Sequence, residues 1–182
     1  AQELALAHPE RVDKLVLVAT VAGGPRSRPM PLGTTYLFAS APFLTSKAKL
    51  EQFVQRTLGP ATLRRRPEIA ERLAAAKLTH PQSELAWRAQ MAAGVLFNPL
   101  GQQRRITQPT LVVQGTADQV VDPDNAGVLA DLLPNARVEL FGGAGHLLYW
   151  EQPKRFVRVV TNFLAEPMPP VHESALDVGR AS

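Results

Sequence analysis

Two short loops carry the residue types of this chain that could do chemistry together. Gly115-Thr116-Ala117-Asp118 follows the run Thr110-Leu111-Val112-Val113-Gln114, and Gly142-Gly143-Ala144-Gly145-His146 follows Ala136-Arg137-Val138-Glu139-Leu140-Phe141. Both runs read as strands. A carboxylate and a histidine on loops after consecutive strands are the acid and base of nucleophilic hydrolysis. The carboxylate, bonded to one ring nitrogen, fixes the tautomer and stabilises the imidazolium. The other ring nitrogen is then free to take a proton from a nucleophile or a water. Glycines beside His146 allow the backbone a tight approach to such a site. Asp122 and Asp124 are rivals for the acid within the same loop, but Asp122 reads as a helix cap. His8, His80 and His172 have no comparable setting.

The nucleophile that should accompany this pair is not in the sequence. None of Ser27, Ser40, Ser46, Ser83, Ser174 or Ser182 stands in a Gly-x-Ser-x-Gly turn. There is no cysteine, which excludes thiol nucleophiles, thiolate metal sites and disulfides within this chain.

The elements that must position Asp118 and His146 alternate along the chain. Ala1 to Arg11 has helical spacing at Leu4, Ala5, Ala7 and His8 and stops at Pro9; no N-cap precedes Ala1. Val12 to Ala19 contains Leu15-Val16-Leu17-Val18, a continuous apolar run suited to a strand buried on both faces. Gly23-Gly24-Pro25, Pro29 and Pro31 end it. From Thr34 to Gln103 alanine, leucine, arginine and glutamate dominate, and the spacing predicts helices over Lys47 to Leu58, Pro67 to Leu78 and Ser83 to Phe97. Pro67 and Ser83 suit helix starts. This stretch is a helical insertion between two strands. Strand Thr110 to Gln114 then leads to a helix over Pro123 to Leu133, with Asp122 as N-cap. Strand Ala136 to Phe141 leads to a closing helix over Pro153 to Leu164, with apolar positions Phe156, Val157, Val160, Phe163 and Leu164. Glu151 and Pro153 shape the entry to that helix. From Glu166 onward the composition is that of a loose tail.

Strands alternating with helices imply an α/β fold built on a mostly parallel sheet. Ligands in such sheets sit beyond the carboxyl ends of the strands, where both Asp118 and His146 are placed. A chain of 182 residues, 45% hydrophobic and 20% charged, can bury one ordinary core. No apolar run reaches the roughly 20 residues of a membrane-spanning helix. The net charge of +4 comes partly from Arg64-Arg65-Arg66 and Arg104-Arg105. These clusters lack interleaved aromatics and read as solvated helix ends, which argues against a nucleic-acid partner. A cytoplasmic location is the default for such a sequence.

These residues resemble the α/β-hydrolase family. Ala1-Gln2-Glu3-Leu4-Ala5, His8-Pro9-Glu10-Arg11-Val12 and Leu15-Val16-Leu17 are similar to the helix and strand that follow that family's nucleophile elbow. Pro109-Thr110-Leu111-Val112-Val113-Gln114-Gly115 with Asp118 resembles its acid strand and loop. Gly145-His146 followed by Glu151, Pro153 and Phe156 resembles its histidine loop and last helix. The order, acid before histidine, is the family's.

The resemblance implies the C-terminal half of such a fold. Residues 1–25 would be the core helix and strand after the elbow, 26–105 a helical cap, 106–165 the C-terminal core with Asp118 and His146, and 166–182 a flexible tail. The elbow itself would fall about six residues upstream of Ala1, and the oxyanion loop further upstream. The implied activity is serine hydrolysis of a carboxylic ester, lactone or related acyl bond, with no metal or organic cofactor. A chain without the nucleophile would be inactive alone. An aspartate at the elbow would instead imply a haloalkane dehalogenase or epoxide hydrolase, and a cofactor-free carbon–carbon hydrolase would keep the serine. A non-catalytic truncated fragment is the remaining alternative. The alanine- and leucine-rich cap points to a small apolar acyl or ring-bearing substrate, with Trp87, Met91, Phe97, Tyr149 and Trp150 as candidate lining. Half a parallel sheet would expose an unpaired strand edge near Leu15 to Ala19, through which the isolated chain would self-associate.

Overall fold

The computed structural model describes residues 1–40, 45–80 and 82–167. Most of the expected tail, with His172, Ser174 and Ser182, lies outside the described residues.

Among the described residues three parallel strands form the sheet: β1 (Leu15–Val18), β2 (Thr110–Gly115) and β3 (Ala136–Phe141), in the order β1-β2-β3. Leu15 pairs with Thr110, and Thr110 with Ala136. β2 is the middle strand and is buried along its whole length, as its apolar run requires. Its side chains alternate between two layers. Val112 joins Leu15 and Leu17 against α1 (Gln2–Ala7) and, later in the chain, the helix Asn125–Leu132, through Ala5, Ala126, Leu129 and Leu132. Leu111 and Val113 face the other way, onto Phe141, Leu148 and Phe163. β1 ends where Ala19 takes a positive φ of 46°, a conformation a strand cannot continue through.

Among the described residues between β1 and β2 lie five α-helices: α2 (Leu32–Ser40), α3 (Ser46–Thr57), α4 (Pro60–Arg65), α5 (Pro67–Thr79) and α6 (Glu84–Leu96). Thr45 caps α3 by accepting the Ala48 N–H at 3.2 Å, and Ser83 caps α6 by accepting that of Ala86 at 3.2 Å. Pro60 and Pro67 stand at first helical positions. Val54, Leu58, Ile69 and Leu73 make a separate small core, which Leu147 and Trp150 join from beyond β3.

Helix α7 (Asn125–Leu132) starts later than its spacing predicts. Asp122 accepts the Asp124 N–H at 2.9 Å, and its carbonyl accepts that of Asn125 at 3.0 Å, so Asp122 organises a turn ahead of the helix. The buried Asn125 side chain exchanges hydrogen bonds with the Arg28 backbone, 2.9 Å to its N–H and 3.2 Å to its carbonyl.

After β3 come α8 (Leu148–Glu151) and α9 (Pro153–Ala165). Phe156, Val159, Val160 and Phe163 turn toward the sheet, whereas Val157 and Leu164 are 56% and 52% exposed. The five apolar positions read from the sequence span more of the helix circumference than the sheet covers. Lys14 donates to the carbonyls of Phe163 and Leu164 at 2.9 Å each, and to that of Glu166, closing the end of α9. Among the described residues no helix is long and apolar enough to cross a membrane.

Candidate active site

The parallel register sets Gly115 beside Phe141 at the carboxyl ends of β2 and β3, so the loops that leave them are neighbours. Backbone bonds lace them together. Thr116 N–H donates to the Phe141 carbonyl at 3.1 Å, Ala117 N–H to Ala144 at 2.9 Å, and Gly143 N–H to the Thr116 hydroxyl at 2.9 Å. The loops lie too close for a side chain at Gly115, and the helical segment before β2 lies too close for one at Gly145. A Cβ on Gly115 would sit 2.3 Å from the Gly145 carbonyl oxygen, and one on Gly145 would sit 2.7 Å from the Gly59 nitrogen.

Asp118 and His146 meet across this seam. His146 Nδ1 lies 3.0 Å from Asp118 Oδ2. The Asp118 side chain is fully buried, while that of His146 keeps 25% exposure. A buried carboxylate needs donors, and Asp118 has them. Its Oδ1 accepts the N–H groups of Val120 at 2.7 Å and Val121 at 3.0 Å, and its Oδ2 also accepts the Gln114 side-chain amide at 2.9 Å. With every Asp118 partner a donor, Nδ1 of His146 carries its proton toward the carboxylate. Among the described residues none hydrogen-bonds Nε2. An imidazole held this way can accept a proton at Nε2 and return it. Neither Asp122 nor Asp124 reaches His146; Asp122 is engaged in its turn.

The insertion grips both loops. Leu147 N–H donates to the Thr57 carbonyl at 2.9 Å. Arg56 Nη1 donates to Gln119 Oε1 at 3.3 Å, and the Thr34 hydroxyl donates to the Gln119 carbonyl. Glu151, expected only to shape the entry to the last helix, is buried, and its carboxylate accepts from Gly59, Thr62 and Gly145. Of the residues read as pocket lining, Trp150 packs on the insertion's core and Trp87 meets Phe38 edge-on at 5.7 Å. Tyr149 turns onto Phe156 of α9, 5.7 Å between ring centres, on the sheet side. Gln114 was legible only as a polar residue in an apolar run. Among the described residues no group of three or more His, Asp or Glu could hold a metal ion.

The family model of the alpha/beta hydrolase fold matches residues 1–153. The chain belongs to the α/β-hydrolase fold family. Its three parallel strands and the helices around them are that family's, as the sequence resemblance implied. This α/β-hydrolase chain is 31% identical over 180 residues to the 2-hydroxymuconate semialdehyde hydrolase of Pseudomonas putida, covering 91% of the chain and 58% of the relative. It is 28% identical to a poly(3-hydroxyalkanoate) depolymerase of Ectopseudomonas oleovorans, covering 91% of the chain and 57% of the relative. Among solved structures it is similar to a hydrolase from Pseudomonas aeruginosa PA01, with a TM-score of 0.72 and 27% identity over 91% of the chain and 60% of that structure. The chain thus spans less than two-thirds of the length of each of these relatives.

Proposed function

We propose that this chain supplies the acid and base of a hydrolase that cleaves an acyl bond in a small molecule. Asp118 orients His146, and His146 Nε2 takes the proton of a serine on the nucleophile elbow, in sequence ahead of Ala1. The serine oxygen adds to the substrate carbonyl, His146 returns the proton to the leaving group, and water then releases the acyl group by the same steps in reverse order. The α2–α6 insertion acts as a cap that shields the reacting centre from water. The observation that carries this reading is the buried, four-partner Asp118 facing Nδ1 of a half-buried His146 at 3.0 Å.

The bond cleaved has two readings. The first is a carboxylic ester or lactone. The second is the carbon–carbon bond of a ring-cleavage product, favoured by the 31% identity to 2-hydroxymuconate semialdehyde hydrolase. Both use the same serine, histidine and aspartate. The test is turnover of a p-nitrophenyl ester and of 2-hydroxymuconate semialdehyde by the protein extended upstream of Ala1, with a fluorophosphonate to label the nucleophile. Labelling of a serine in a Gly-x-Ser-x-Gly turn with turnover of either substrate supports the reading. An aspartate at the elbow, with no labelling, replaces it with dehalogenase or epoxide hydrolase chemistry.

A further inference from the structure

We infer that Glu151 is a positioning residue for His146: its buried carboxylate fastens the backbone ahead of the base to the α3–α4 junction, so that the placement of the insertion sets the placement of the imidazole. The inference rests on the acid–base reading of His146 given above.

Glu151 is 1% exposed and sits at the end of α8, yet none of its carboxylate's donors belongs to α8 or α9. Oε1 accepts the N–H of Gly145 at 2.6 Å and that of Gly59 at 3.1 Å. Oε2 accepts the Thr62 hydroxyl. The Glu151 carbonyl accepts Arg66 Nη2 at 2.7 Å. Gly59, Thr62 and Arg66 all lie at or beside α4, in the insertion. Gly145 is the residue before His146. The residue after it, Leu147, is held by its N–H to the Thr57 carbonyl at 2.9 Å, in the last turn of α3. The residues on either side of the base are therefore each held by a backbone N–H, Leu147 directly on the insertion and Gly145 through the Glu151 carboxylate.

A helix-entry role would not need a buried carboxylate. Burying one is costly unless donors surround it, and these donors come from two separate segments. Oε1 is shared between a histidine-loop amide and an insertion amide, so neither segment can shift without breaking a bond to the same oxygen. Catalysis is sensitive to displacements of about 1 Å at the reacting groups, and such a displacement costs about 10²-fold in rate.

The test measures kcat and KM separately in the protein extended upstream of Ala1, together with the His146 Nδ1 proton resonance in 15N-labelled protein. Glu151→Ala is expected to lower kcat by about 10²-fold with KM changed by no more than about threefold, and to shift or broaden the Nδ1 resonance. Glu151→Gln should recover most of kcat: its carbonyl oxygen can accept both N–H groups, and its amide can donate to the Thr62 hydroxyl. Thr62→Val removes only the insertion-side hydroxyl and should lower kcat by about tenfold with the same spectral change. If Glu151→Ala folds with unchanged kcat and an unchanged Nδ1 resonance, Glu151 is merely structural and the inference fails. If Glu151→Ala does not fold, Thr62→Val decides: unchanged kcat and resonance overturn the inference. Full turnover by His146→Ala would sink the acid–base reading instead, while the response of the Nδ1 resonance would still decide the role of Glu151.

Discussion

Gln114 donates its side-chain amide to Asp118 Oδ2 at 2.9 Å, the same oxygen that faces His146 Nδ1 at 3.0 Å. The last inward-facing polar residue of β2 thus sets the direction of the carboxylate four residues later. Gln114→Leu keeps the volume and removes the donor. We expect kcat to fall by about tenfold and stability by about 1–3 kcal/mol, read from turnover and urea melts. A variant with unchanged turnover would show that the two loop amides suffice.

Gly115 marks the closest approach of the two loops. A Cβ there meets the carbonyl oxygens of Gly145 at 2.3 Å and Ala144 at 2.4 Å, and backbone cannot swing aside as a side chain can. Gly115→Ala is expected to cost about 1–3 kcal/mol and to draw His146 off Asp118. Gly127, inside α7 with open space around its Cα, is the matched control. Gly127→Ala should raise stability by about 0.5–1 kcal/mol and leave turnover alone. Paired melts and assays distinguish the two outcomes.

Lys14 ties the start of β1 to the end of α9 through the carbonyls of Phe163, Leu164 and Glu166. Lys14→Met retains the aliphatic stem and loses the donors. The expected cost is about 1 kcal/mol, with kcat unaffected because the contact lies at the end of the sheet opposite His146. A change in kcat would mean that α9 transmits strain to the histidine loop.

β1 pairs only with β2 among the described residues, so its outer edge presents free backbone groups. A chain that starts at Ala1 is expected to self-associate through this edge. Sedimentation velocity over a range of concentrations should show a growing heavier species. One monomeric boundary throughout, with a cooperative melt, would contradict it.

The strands were legible because their side chains obey local rules: Leu15 to Val18 and Leu111 to Val113 are apolar without interruption, and a parallel sheet buries such runs on both faces. Asp118 and His146 were legible as loop residues directly after strands. What stayed hidden depends on distant partners. Glu151 meets Gly59 and Thr62, about 90 residues earlier, so its sequence neighbourhood shows only a helix entry. α2 begins Leu32-Gly33-Thr34-Thr35, of which Gly33, Thr34 and Thr35 are poor helix formers, and is anchored by the Thr34 hydroxyl on the Gln119 carbonyl. Its formation is a tertiary effect. The local pattern at Asp122 fits a helix cap as well as the turn it forms, since both use the same side-chain acceptor.

The role of His146 as the base is tested most simply by the turnover of His146→Ala against wild type, in the protein extended upstream of Ala1, on whichever of the two substrates the wild type cleaves. If His146 is the base, the variant folds and its kcat is lower by about 10³-fold or more. A folded variant that turns over substrate at the wild-type rate would contradict it.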